Sequence, residues 1–396
     1  MILATDDSAG PDAPRVLYYG HYDVQPPEPF DEWNHPPFDA EIVDGPNGKR
    51  IVARGAADDK GQLMTFIEAI RAWKDTYESL PVRVVILLEG EEESGSESLV
   101  PFLHKHKDEL QADTCIVCDT GMWDPETPAI TSRLRGLVYI EATLHGPSHD
   151  LHSGSYGGAV VNPANALTEV LGQLHDEDGK IQIEGFYDDV EEVSAEQITQ
   201  WNSLGDADAL TLESSGSKAT FGEQGFSTLE RLWSRPTCDI NGLRAGYQGE
   251  GAKTVIGATA TAKISCRLVA HQKPKAIEKA LFAFLEERTP VGCHWELKSF
   301  GTAPAISVPT QSPWLSAASN VLTSVFPKPA VLIGTGGSIP VVGEFQEILG
   351  IDAVMVGFSL DDDLIHAPNE KFDIDCFHRG MLAQASILEA YANVHV

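Results

Sequence analysis

Four short apolar runs, residues 15–19, 82–88, 114–118 and 352–358, are rich in Val, Ile and Leu with little alternation. Such runs predict strands buried on both faces. Between the first two, Leu63, Phe66, Ile67 and Ile70 recur at i, i+3, i+4 and i+7, with Trp73 extending the stripe, which predicts an amphipathic helix. Residues 377–394 read as another helix. Strands alternating with helices imply an α/β domain whose mixed sheet is covered on both faces. The middle of the chain is patterned differently, with strands expected at 137–144, 259–269 and 293–300, helices at 163–175 and 274–288, and a loop at 202–227. That order suits a small α+β, ferredoxin-like module with helices on one face of an antiparallel sheet. The expected organisation is a discontinuous α/β catalytic domain, residues 1–132 and 301–396, interrupted by an inserted dimerisation or lid domain at 133–300.

Length agrees with two domains, since 396 residues exceed what one core usually organises. Charge narrows the partners. A formal net charge of -31, from 28 basic and 59 acidic residues, argues against nucleic acid and against an anionic membrane surface. No apolar run approaches the roughly 20 residues of a membrane span, and the Met1–Ser8 stretch has neither the basic region nor the apolar core of a signal peptide. Six cysteines do not make a disulfide framework. Cys115 and Cys118 form the one Cys-x-x-Cys, but they lie in an apolar strand-like run, where buried packing is the expected role. A reducing cytosol is the expected setting.

Five potential metal ligands fall at expected strand exits or helix starts: His21, Asp58, Glu93, Asp119 and His366. Two imidazoles and three carboxylates suit a borderline divalent ion such as zinc. With one carboxylate bridging, they suffice for two ions. Singly, each motif is weak, because Gly-His-x-Asp is more often a capped turn and three glutamates in a row are usually a solvated face. Here, however, Glu91–Glu93 follow a strand exit directly, and Asp58 and Asp59 are adjacent at a Gly-rich strand-to-helix turn. Like charges crowded at such points are costly unless a cation neutralises them. Five such coincidences in one chain favour the functional reading.

Four motifs in this order carry a resemblance: Gly-His-Tyr-Asp-Val-Gln-Pro (20–26), Arg-Gly-Ala-Ala-Asp-Asp-Lys-Gly (54–61), Leu-Glu-Gly-Glu-Glu-Glu-Ser-Gly-Ser (88–96) and Asp-Leu-His-Ser-Gly (150–154). Over nearly the whole chain the sequence resembles the dinuclear-zinc peptidase and amidohydrolase family of carnosine dipeptidases, aminoacylases, glutamate carboxypeptidases and succinyl-diaminopimelate desuccinylases. The Asp-Val-Gln-Pro and Asp-Leu-His-Ser-Gly variants look closest to the carnosinase-like dipeptidase branch.

The resemblance implies two divalent ions per subunit, Zn2+ first and Mn2+ or Co2+ as alternatives. Asp58 would bridge them, His21 and Asp119 completing one site and Glu93 and His366 the other. Asp23 would orient the ring of His21. Glu92 matches the general base, taking a proton from the water held between the ions and delivering it to the leaving amine. His152 matches a histidine that reaches the active site of a partner subunit and donates to the oxyanion, so a homodimer is expected. Arg267 matches an arginine that clamps the substrate's terminal carboxylate. Gly336, Gly337 and Ser338 form a turn whose N–H groups could cradle the same carboxylate, or which could serve packing alone. His145 and His149 match no role and are expected at the surface or in packing. The resemblance also implies a cis peptide after Asp58, and several dozen residues ahead of the His21 strand. Only 20 residues precede His21 here, so a short N-terminal layer is expected.

The expected activity is metal-dependent hydrolysis of a peptide bond in dipeptides or short peptides. An N-acyl amino acid deacylase or desuccinylase would use the same residues, the difference lying in pocket shape. A non-catalytic homologue would be expected to lack a ligand or the base, and all five ligands and Glu92 are present.

Overall fold

The structure is a computed structural model that describes residues 1–337 and 339–395. They form two compact units. The first comprises Met1–Ser132, Val308–Ile333 and the chain from Ile339 onward; the second comprises Arg133–Ser307 and a short stretch beginning at Gly334.

The first unit is built on a mixed sheet. The strand Arg15–His21 lies parallel between Arg83–Glu89 and Thr114–Val117, and Ala353–Met355 extends the parallel set beside Thr114–Val117. The strands Ile2–Asp6 and Ala129–Leu134 flank this set antiparallel. Covering on both faces is visible in two consecutive residues. Tyr18 and Tyr19 are both fully buried, and successive strand residues point to opposite faces. Tyr18 stacks on Phe66 of the helix Lys60–Tyr77 at 3.5 Å, whereas Tyr19 meets Phe345 edge-on at 5.7 Å. The helix Ile374–Tyr391 packs against Lys60–Tyr77, where the Trp73 indole N–H donates to the Ala385 carbonyl at 3.0 Å. A small antiparallel sheet of Glu41–Gly45, Gly48–Val52 and Lys371–Asp373 brings the chain following His366 beside the segment leading to Asp58.

In the second unit the four sheet strands and the two helices packed on them follow in the order strand, helix, strand, strand, helix, strand. Its antiparallel sheet runs Thr237–Ala245, Thr259–Leu268, Gly136–His145, His294–Ala303. Burial alternates strictly along Gly136–His145. Val138, Ile140 and Ala142 join Leu167 and Leu171 of the helix Pro163–Leu171, and Leu281 and Leu285 of Pro274–Glu287, in one core. One face is therefore covered by helices. Residues 202–227 are not simply a loop: the helix Ala207–Ser215 lies there, and Ala195–Asn202 ends at its edge. Ser194 and Asp206 cap these helices through backbone N–H groups, an N-terminal signal that outweighs their polar composition. Among the described residues no helix is long and apolar enough to cross a membrane.

Candidate metal centre

The carboxyl ends of the parallel strands, where open α/β sheets place their sites, carry His21, Glu93 and Asp119, while Asp58 precedes a helix and His366 lies between the turn Asp361–Asp363 and the strand Lys371–Asp373. His21 is the last residue of its strand and fully buried. Its backbone N–H donates to Asp59 Oδ2 at 3.1 Å. Its Nε2 lies 3.0 Å from Asp58 Oδ1 and 4.0 Å from Asp119 Oδ1. Asp58 sits in the turn before the helix Lys60–Tyr77, and the Asp58–Asp59 peptide is cis. The other Asp58 oxygen, Oδ2, lies 2.8 Å from His366 Nε2, which is also 3.4 Å from Glu93 Oε1. Two groups result, His21–Asp58–Asp119 and Asp58–Glu93–His366, and within each the potential ligand atoms lie within 4.8 Å of one another. Asp58 belongs to both.

Charge at the site is unbalanced. Burial opposes protonation of His21, but the Asp58 hydrogen bond and the charges of Asp59 and Asp119 outweigh it and push its pKa up to about 11. Burial lifts Asp119 well above the usual carboxylate range. His21 pulls it back, while Asp58, Glu92 and Glu93 add to the rise. For Asp58 the balance goes the other way: burial raises its pKa, yet His21 and His366 hold it below its usual value. One buried acceptor, Glu93 Oε1, has no hydrogen-bond partner among the described residues. Mixed imidazole and carboxylate donors, surplus negative charge and an orphaned carboxylate oxygen together fit divalent cations.

Asp23 joins the two groups. His21 Nδ1 lies 3.2 Å from the Asp23 carbonyl and 3.4 Å from Oδ1, and Asp23 Oδ2 accepts the Glu93 N–H at 3.0 Å. Glu92 heads the single turn Glu92–Ser94 after the strand Arg83–Glu89. It is half-buried. Burial raises its proton affinity; His21 lowers it, and Glu93, Asp58 and Glu89 raise it further. Two contributors were not identified from sequence. Gln25 Nε2 donates to Glu93 Oε2 at 2.7 Å, and Asp59 anchors the His21 backbone. Both stand inside the motifs that carry the ligands, and that proximity was the available signal.

The remaining candidates lie on the second unit. Arg267, on the strand Thr259–Leu268, is half-buried, and its guanidinium forms no hydrogen bond or ion pair among the described residues. Nearby Arg135 is brought down to about 10 by burial and by the charge of Arg267, and its guanidinium donates to the Arg231 and Arg235 carbonyls. Positive charge is thus concentrated around Arg267. His152 is exposed and caps the turn Ser153–Tyr156, its Nδ1 accepting the Gly154 N–H at 3.0 Å. His145 pairs with Glu296 and stacks on His294, and His149 contacts Ser148. The Gly337 N–H donates to Thr335 Oγ1 at 3.3 Å. Ser338 lies outside the described residues.

A mixed α/β fold with an imidazole–carboxylate centre at its strand ends defines a metal-dependent hydrolase. The chain belongs to peptidase family M20/M25/M40, whose sequence profile matches residues 17–390, and it is a metallopeptidase that uses divalent metal. It is 32% identical to the Cys-Gly metallodipeptidase DUG1 of Saccharomyces cerevisiae over 99% of this chain and 82% of that protein. It is 30% identical to the Beta-Ala-His dipeptidase of Homo sapiens over 100% of this chain and 78% of that one. The solved structure of the M20 family metallo-carboxypeptidase Sso-CP2 from Sulfolobus solfataricus matches with a TM-score of 0.81 at 32% identity, covering 99% of this chain and 88% of that one.

Proposed function

We propose that the chain is a dinuclear, zinc-dependent dipeptidase acting in the cytoplasm as a homodimer. One observation carries the dinuclear part: the two oxygens of Asp58 face His21 Nε2 at 3.0 Å and His366 Nε2 at 2.8 Å, one carboxylate shared by two groups. His21, Asp58 and Asp119 would hold one ion, and Asp58, Glu93 and His366 the other. Bound Zn2+, or Mn2+ or Co2+ in its place, would polarise the scissile carbonyl and acidify the attacking water. Glu92 takes that water's proton on its carboxylate and returns it to the leaving amine. Its raised proton affinity suits a group that must hold the proton between the two transfers. Arg267, with its side-chain donors unspent, clamps the substrate's terminal carboxylate, and Gly337, whose N–H would have to leave Thr335 Oγ1, and Ser338 are the proposed backbone donors to the same group. Six free cysteines, five of them buried, suit a reducing compartment.

The named relatives favour dipeptides over N-acyl amino acids. A panel of Cys-Gly, β-Ala-His, longer peptides, N-acetyl and N-succinyl amino acids separates the readings. Dipeptides are expected to exceed acyl amino acids in kcat/KM by about tenfold or more. The reverse order would make the protein a deacylase.

Metal uptake should also release protons. With a pKa of about 11, His21 is charged in the metal-free protein at neutral pH, and ligation requires the neutral ring. Because the pKa is raised, the proton must be expelled at every pH below about 11, so apparent Zn2+ affinity should rise with pH across that range. Calorimetric titration at pH 7 in buffers of different ionisation heat should give buffer-dependent heats. Identical heats would mean that His21 does not exchange a proton for metal.

His152 is assigned to the partner subunit's site. With Nδ1 accepting the Gly154 N–H, the neutral ring carries its proton on Nε2, the donor an oxyanion requires. His152→Ala and Glu92→Gln subunits, each inactive alone, should complement when exchanged. Each heterodimer has one site with both defects and one with neither, so an equal mixture should recover about a quarter of wild-type activity. No recovery from subunits shown to exchange would remove the shared site.

A further inference from the structure

Glu370 is fully buried, and its two carboxylate oxygens collect four hydrogen bonds, all from the turn that carries Asp58. Arg54 Nη1 and the Gly55 N–H donate to Oε2, each at 2.8 Å. The Ala57 N–H and Asp58 N–H donate to Oε1 at 2.8 and 3.0 Å. The Glu370 carbonyl accepts the Ala53 N–H at 3.0 Å. Buried charge persists only where it is paired and hydrogen-bonded, and Glu370 is both.

The segment leading to Glu370 is equally constrained. His366 and Asn369 adopt left-handed φ values of 64° and 66°, which persist in non-glycine residues only where the surroundings impose them. Asn369 is fixed at both ends of its amide: Oδ1 accepts the Asn34 N–H at 2.7 Å, and Nδ2 donates to the Glu32 carbonyl at 2.8 Å. A closed circuit results. It runs from the Asp58 carboxylate to His366, along the backbone to Glu370, and from the Glu370 carboxylate back to the Asp58 N–H.

We infer that Glu370 is a positioning residue that holds the Asp58 turn against the His366 segment, and so sets how the two ligand groups share Asp58. The inference rests on the dinuclear reading above. Catalytic contact is not involved, since the only hydrogen bond between the Glu370 carboxylate and a member of either group is with the Asp58 backbone N–H. Glutamine at this position keeps the shape but turns one acceptor into a donor, leaving two N–H groups facing N–H.

The test uses the full metal-free chain titrated with Co2+, followed by its visible bands and by competition with a chelator. Wild type should bind two ions. Glu370→Gln should fold, as read by circular dichroism, yet bind Co2+ about 10–100-fold more weakly, with altered bands. A role confined to fold stability would move neither affinity nor bands in a folded variant. Wild type binding fewer than one Co2+ would overturn the dinuclear reading and this inference together. Wild type binding two while folded Glu370→Gln binds as tightly with unchanged bands would overturn this inference alone. Should Glu370→Gln not fold, Arg54→Lys, which keeps the charge but loses the planar fork, is read instead. Weakening of about threefold or more supports the inference, and unchanged affinity overturns it.

Discussion

Glu92→Gln is expected to lower kcat by about 10²–10⁴-fold while metal content and fold stay near wild type, because glutamine preserves the shape but cannot take a proton. Separating these effects is possible because Glu92 belongs to neither ligand group and its carboxylate accepts no hydrogen bond among the described residues. No hydrogen bond within the metal groups or the surrounding turn uses its carboxylate, although its charge adds to the raised proton affinity of Asp119. The neighbouring carboxylates are poorly suited: Glu93 belongs to a ligand group, and Glu91 accepts from Ser98 through both oxygens. Glu89 is fully buried at the end of its strand, with Oε2 accepting the Tyr19 hydroxyl at 2.7 Å, so it is committed to the sheet. The loss should fall on kcat rather than KM, since the proton moves only in the chemical step. Metal analysis alongside steady-state kinetics checks both halves. Full turnover in a variant with full metal content would remove Glu92 as the base.

The parts of the fold legible in the sequence are those whose burial imposes a simple pattern. Val16–Tyr19 and Cys115–Val117 are fully buried, and a short, Val- and Ile-rich run with no polar alternation is the pattern of a strand covered on both faces. Thr237–Ala245 was missed for the opposite reason. It is an edge strand with mostly exposed residues and a register shift between Ile240 and Gly242, which breaks the period of two. The helix Ala207–Ser215 has no buried residue, so no apolar stripe marks it, and only its Asp206 cap could have. At the site, four of the ligand candidates, His21, Asp58, Glu93 and Asp119, stand at punctuated positions, at or after a strand end or before a helix, where charge is conspicuous; His366 lies in the stretch between the turn Asp361–Asp363 and the strand Lys371–Asp373. Glu370 has no such mark. Its donors lie 312 to 316 residues away along the chain, and only the folded arrangement brings its carboxylate under the Asp58 turn.

Asp58→Ala is expected to lose both ions and all measurable turnover, a larger effect than removal of any other single ligand. Without Asp58 the first group is reduced to His21 and Asp119 and the second to Glu93 and His366, and two protein ligands fall short of the three or four that hold zinc. The two imidazoles would also lose the carboxylate oxygens that now face them at 3.0 and 2.8 Å. Asp119→Ala and Glu93→Ala supply the internal comparison. Each removes a ligand from one group and leaves the other intact, so each should retain about one ion per chain while Asp58→Ala retains fewer. Such a graded series separates a shared carboxylate from two independent sites, for which Asp58→Ala would behave like the other two. Metal content measured after dialysis against a weak chelator, with circular dichroism to verify the fold, reads the series directly. If folded Asp58→Ala held two ions and hydrolysed dipeptide, Asp58 could not be the bridge, and the pairing of His21 with His366 through it would have no role in the reaction.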